Sequence, residues 1–174
     1  MKSPKHTDIL KIRISGLSNG KHDYHFTADP SEIHLEENFV DPVEVTAVLD
    51  KTPGQIYVRA NITTAAHFQC DRCLEDFKQN VAASYNMFYV FEEPSAGRYD
   101  PAEVQVMSPD ATSIDLTEDV RQMVALSVPL KLLCSESCKG LCPSCGANWN
   151  ERTCDCKQQQ GDHRFEGLQN LLKN

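Results

Sequence analysis

The amino-acid sequence predicts a β-rich α+β protein: a curved antiparallel sheet or barrel-like meander, then a helix, then a C-terminal cysteine segment. Three observations predict it. Apolar residues recur at every second position through much of the first 105 residues, the period of half-buried strands. One stretch, near 116–127, switches to the 3.6-residue period of a helix. Six of the eight cysteines fall between Cys134 and Cys156. A length of 174 residues suits one domain, or one domain with a small appendage, and can bury a core without a metal.

Taken in order, ILKIRIS places Leu10, Ile12 and Ile14 on one side of a first strand. Asn19-Gly20 is a turn signal, and a strand-like run with Tyr24 and Phe26 follows it. Val43, Val45, Ala47 and Leu49 alternate with polar or small residues, Thr52-Pro53-Gly54 reverses the chain, and Ile56, Val58, Ala60 and Ile62 alternate again, so this stretch reads as a hairpin. Tyr85, Met87, Tyr89 and Phe91 share one face of a further strand. Residues 94–103 hold two prolines and a glycine and read as a loop. Asp115 with Glu118 resembles a capping box at the start of the helix. Leu116, Val120, Met123 and Val124 form its apolar stripe, and Pro129 ends the pattern. After the cysteines, Phe165, Leu168, Leu171 and Leu172 fit a short amphipathic helix.

The formal net charge of −8 is unevenly spread. Residues 91–130 carry eight acids against Arg98 and Arg121, whereas residues 131–174 carry six bases against five acids. A nucleic-acid binder normally presents a basic surface, so any contact with RNA has to be local or shared with a protein. No apolar run has the length of a signal peptide or a membrane span, and a cytoplasmic protein without a membrane partner is expected. Thiols in that compartment stay reduced, which turns a cysteine cluster toward metal binding and away from disulfides.

Cys70-x-x-Cys73 and Cys142-x-x-Cys145 have the spacing at which a tight turn brings two thiolates to one zinc ion. Pro143 and Gly146 suit such a turn. Eight thiols fill two tetrahedral sites, so two Zn2+ ions are expected, each held by four cysteines. The local set is Cys142, Cys145, Cys154 and Cys156, a zinc-ribbon-like segment closed by Cys-Asp-Cys. The remaining set is Cys70, Cys73, Cys134 and Cys138, and an exchange of Cys138 or Cys142 between sites stays open. The expected organisation is a β-rich domain over 1–130, a zinc-binding segment over 131–160 clamped to it through Cys70 and Cys73, and a short helix over 161–174. Two zinc ions on eight thiolates would bring the formal charge to about −12. All-cysteine sites leave no open coordination position, which favours a structural metal over a catalytic one. His67, three residues before Cys70, reads as a strand histidine, and no phosphate-binding loop or hydrolase motif occurs.

The segments CDRCLEDF (70–77) and CKGLCPSCGANWNERTCDC (138–156) resemble the YceD family, as do the helix 114–130 and the terminal DHRFEGLQNLL, in the same order. The resemblance covers about residues 40–172, and Trp149 departs from it where many relatives carry leucine. It implies a non-enzymatic role in the accumulation or processing of large-subunit (23S) ribosomal RNA, with that RNA or its precursor, or a ribosomal protein, as partner. The residues expected to touch RNA are Arg72, Lys131, Lys139, Arg152, Lys157 and Arg164 at phosphates, and Trp149 by stacking on a base. Two other classes weighed were a thiol–zinc redox switch and an RNA-processing enzyme, for which no carboxylate cluster or open metal site is evident.

Overall fold

The computed structural model describes residues 9–92 and 99–156. The chain divides into two compact units. The first comprises Met1–Phe68 and Asp76–Leu132, and the second Gln69–Glu75 and Leu133–Asn174.

The first unit is built on two sheets. Strands β2 (Gly20–Ala28), β3 (Val43–Lys51), β4 (Gln55–Gln69), β5 (Asp76–Val90) and β6 (Val104–Val106) form a five-stranded sheet in sequential order. Strands β1 (Lys11–Arg13) and β7 (Ser113–Asp115) pair with each other in a separate two-stranded sheet. The expected hairpin is present: β3 and β4 are antiparallel, with Val45 opposite Ile62 and Leu49 opposite Val58. Because side chains alternate between faces, the apolar set of each strand points one way, and Val43, Val45, Leu49, Ile56, Val58 and Ala60 are fully buried. Each valine, leucine and isoleucine among them gains about 1.5–3 kcal/mol from burial. Leu10, Ile12, Ile114, Leu116, Val120 and Val124 join the same core.

Three expectations are corrected. The sheet is open and not barrel-like, with β2 and β6 as its edges. It is not wholly antiparallel, because β6 lies parallel to β5, Phe88 opposite Val104 and Val90 opposite Val106. The first strand is outside the meander: Ile12 faces Ile114, 102 positions along the chain. Strands of three residues carry too little alternation to reveal their partner.

Helix α1 spans Thr117–Leu126, close to the expected 116–127. It buries Val120 and Val124 and partly buries Met123. Its start differs from a capping box. Leu116 is the capping residue and has helical backbone angles, and Asp115 accepts the Thr117 N–H at 2.9 Å. Glu118 turns to Arg121 and Gln122 instead of back to the chain. Among the described residues, no helix is long and apolar enough to cross a membrane. The expected helix over 161–174 and residues 94–98 of the expected loop lie outside the described residues.

Candidate metal centres

The second unit has a discontinuous sequence: the connection between β4 and β5, and the cysteine-rich tail. Two short turns shape it, and they share one hydrogen-bond pattern. In the first, the Leu74 N–H donates to the Cys70 carbonyl at 2.9 Å and the Cys70 N–H to the Glu75 carbonyl at 2.9 Å. In the second, the Gly146 N–H donates to the Cys142 carbonyl at 2.9 Å and the Cys142 N–H to the Ala147 carbonyl at 2.8 Å. The residue after each second cysteine is left-handed, Leu74 at φ 61° and Gly146 at φ 70°. This fold-over aims both thiols of a Cys-x-x-Cys pair, with backbone N–H groups, into one small volume.

The chain between the turns completes the sets. Among the described residues, Cys70, Cys73, Cys134 and Cys138 form one group and Cys142, Cys145, Cys154 and Cys156 the other. The four sulfurs of each lie within 4.8 Å of one another. Cys70 and Cys138 Sγ are 3.8 Å apart, and Cys73 and Cys134 Sγ 3.6 Å. Four sulfurs at about 2.3 Å from a tetrahedral zinc ion stand about 3.8 Å from each other, whereas a disulfide needs about 2.05 Å. All eight cysteines are free. The spacing therefore fits a metal, and either group could hold one ion.

Electrostatics point the same way. Burial opposes ionisation of Cys70, but the backbone N–H groups of Cys134, Cys73 and Arg72 outweigh it and hold the thiol at about 6. At Cys73 the Glu75 N–H favours the thiolate, yet burial and the sulfurs of Cys70, Cys134 and Cys138 push it up to about 12. The second group repeats this. The N–H groups of Ser144 and Cys145 bring Cys142 down to about 6, and the Cys145 sulfur and burial push Cys156 up to about 12. Four thiols this close cannot all ionise without a cation among them, and a divalent ion removes the obstacle.

The remaining expected site residues differ in their surroundings. Arg72 is committed within the unit, its guanidinium donating to the Cys138 carbonyl at 2.8 Å. The indole N–H of Trp149 donates to Cys154 Sγ at 3.4 Å, which ties this partly buried ring to the cysteines. Lys139 and Arg152 are exposed in the second unit and Lys131 in the first, and Lys157 and Arg164 lie outside the described residues. His67 is exposed and stands in neither cysteine group. Sequence reasoning missed Asn148 and Asn150. Asn150 Nδ2 donates to Cys138 Sγ at 3.3 Å and to Asn148 Oδ1 at 2.9 Å. The only signal was the repeated asparagine in Asn-Trp-Asn, polar residues inside a cysteine-dense loop.

Fold and sites together define a class: an open β-sheet protein bearing two four-cysteine clusters of metal-binding type. The chain belongs to the YceD family, whose model, described as large ribosomal RNA subunit accumulation protein YceD, matches residues 58–172. It is similar to the large ribosomal RNA subunit accumulation protein YCED homolog 1, chloroplastic, of Arabidopsis thaliana, with 23% identity over 75% of this chain and 48% of the relative. The Zea mays protein of the same name is 27% identical over 73% of this chain and 53% of the relative. The uncharacterized protein YlbN of Bacillus subtilis is 27% identical over 77% of this chain and 76% of its own length. The chain thus spans about half the length of the two plant relatives. No solved structure matches it.

Proposed function

We propose that this protein is a non-enzymatic ribosome-biogenesis factor that supports the accumulation or processing of large-subunit (23S) ribosomal RNA in the cytoplasm. The observation that carries the reading is the pair of four-cysteine groups in a chain of this family, whose plant members are named for accumulation of that RNA. The eight cysteines bind two zinc ions. Thiolate sulfur suits zinc, and four sulfurs exhaust a tetrahedral ion, so the metal shapes a surface and activates no water. Cys70 with Cys138 and Cys73 with Cys134 close loops of 68 and 61 positions, pinning the tail to the β4–β5 connection as a zinc-ribbon-like segment. That surface presents Lys139 and Arg152, exposed cations able to reach phosphates, in a chain whose net charge is −8.

Ultraviolet crosslinking of the tagged full-length protein in its own cells, with sequencing of the recovered RNA, tests this. Enrichment of one region of large-subunit ribosomal RNA is the expected result, reduced severalfold by Lys139→Glu with Arg152→Glu. Background recovery alongside co-purified ribosomal proteins would overturn the RNA contact in favour of a protein contact.

A further inference from the structure

We infer that the turn Asn148–Trp149–Asn150 links the two cysteine clusters, so that filling one with metal favours filling the other. The inference rests on the reading that both clusters hold metal. Adjacent side chains of this turn donate to sulfurs of different clusters: Trp149 Nε1 to Cys154 Sγ at 3.4 Å, and Asn150 Nδ2 to Cys138 Sγ at 3.3 Å. The orientation of the Asn150 amide follows from its other contacts. Its Oδ1 accepts the Lys139 backbone N–H at 2.8 Å, and a backbone N–H can only donate. The –NH2 therefore faces Cys138, and the sulfur is the acceptor, the role of a thiolate.

The turn is itself held in place. Asn148 Oδ1 accepts the Asn150 backbone N–H at 3.0 Å and its Nδ2 at 2.9 Å. The Trp149 N–H donates to the Gly140 carbonyl at 2.9 Å. Gly140 lies in the peptide from Cys138, a member of the first cluster, to Cys142, a member of the second. The Leu141 N–H in that peptide donates to the Arg72 carbonyl at 3.1 Å. The clusters are thus joined twice, through the three residues Lys139–Leu141 and through a turn bonded to that same chain. Metal at Cys138 fixes a sulfur that orients Asn150, Asn150 fixes the turn, and the turn sets the indole N–H against Cys154. Linkage makes the effect reciprocal.

The single tryptophan supplies the readout, because the Trp149 indole N–H donates to a sulfur of the second cluster. Co2+ is titrated into the metal-stripped full-length chain under reducing conditions. Thiolate-to-cobalt absorption follows both clusters, and tryptophan emission follows the second. In the native chain the two signals are expected to move together to two ions per chain. Asn150→Asp keeps an acceptor for the Lys139 N–H but sets an anion against the Cys138 sulfur. It is expected to weaken the first cluster about 10–100-fold, the usual cost of removing a partner that orients a metal ligand. The emission midpoint is also expected to move at least threefold, although the sulfur that the Asn150 amide bonds belongs to the first cluster. Trp149→Phe, read by absorption alone, checks that the reporter itself does not create the cooperativity. Two ions bound in independent steps, or an emission midpoint unmoved in Asn150→Asp, would overturn the linkage and leave the metal reading standing. Absence of thiolate-to-cobalt absorption in the native chain would overturn both.

Discussion

Of the second unit's two described glycines, Gly140 is the one where an added side chain meets a close neighbour. Its φ of 76° is left-handed, and a Cβ there would stand 3.0 Å from the Arg72 carbonyl oxygen, which already accepts the Leu141 N–H. Left-handed geometry costs a side chain about 1–2 kcal/mol, and the approach forces Arg72 or the 138–142 peptide to move. Gly140→Ala is expected to destabilise the metal-loaded protein by about 1–3 kcal/mol. It should also lose bound metal faster to a competing chelator, which a chromophoric chelator assay reads directly. Leu74 presents the opposite case. It holds at φ 61° the place that Gly146 holds in the other turn, and its side chain is 56% exposed. Leu74→Gly removes the left-handed cost but adds unfolded-chain freedom worth about 0.5–1 kcal/mol. A net gain of up to about 1 kcal/mol is expected in thermal unfolding of the loaded chain, whereas a loss would show that the leucine side chain is needed. In the sequence Gly146 announced its turn and Leu74 did not, because left-handed leucine is rare and only the shared hydrogen bonds reveal it.

At the scale of elements, helix α1 carries two adjacent carboxylates in opposite situations. Hydrogen bonds from Arg121 and Gln122 hold Glu118 at about 2, below its ordinary 4.5. Burial, with help from Glu118 and Asp115, lifts Asp119 above its ordinary 3.8 and outweighs the Tyr89 hydroxyl, 3.3 Å from its Oδ2. The usual order of the two residue types is thereby reversed. Side-chain carboxyl shifts followed by NMR across an acid titration should show Asp119 taking its proton before Glu118. The consequences for folding differ in sign. The contribution of Glu118 is present above pH 4.5 and lost as the pH falls toward 2. Charged Asp119 works against folding at neutral pH, and that opposition fades as the pH falls through its raised value. The stripe of α1 and the alternation of β3 and β4 were legible because nine or more residues repeat one period. The pairing of β1 with β7 and the parallel β6 were not, since three residues carry no period and their partners are set by tertiary packing. The cysteine groups were legible from chemistry and count, but the asparagines between them were not, because an amide has many uses in a loop.

For the molecule as a whole, the two units rest on different physics. Every residue of the apolar core cluster belongs to the first unit. Among the described residues of the second, the buried apolar side chains are Cys70, Cys73, Cys138, Cys142 and Ala147. Four of these five are the sulfurs assigned to metal, so among the described residues of this unit no hydrocarbon core remains when the ions leave, and like-charged sulfurs are left facing each other. Binding free energy of about 10–16 kcal/mol per structural zinc ion is on the scale needed to hold such a unit folded. Chelation under reducing conditions is therefore expected to unfold the second unit and spare the first. Hydrogen exchange with peptide resolution separates the two. Amides in 70–75 and 134–156 should lose protection when the metal is removed, while those of β3 and β4 from Glu44 to Thr63 keep theirs and the strand signal in circular dichroism persists. Loss of protection throughout the sheet would show that the first unit depends on the metal as well. Retained protection in 134–156 would mean that backbone hydrogen bonds suffice without the ions. The same contrast predicts the response to core damage. Leu49→Ala, at a fully buried site, should cost about 2–5 kcal/mol and lower the melting of the sheet, while the metal content of the folded protein stays that of the native chain.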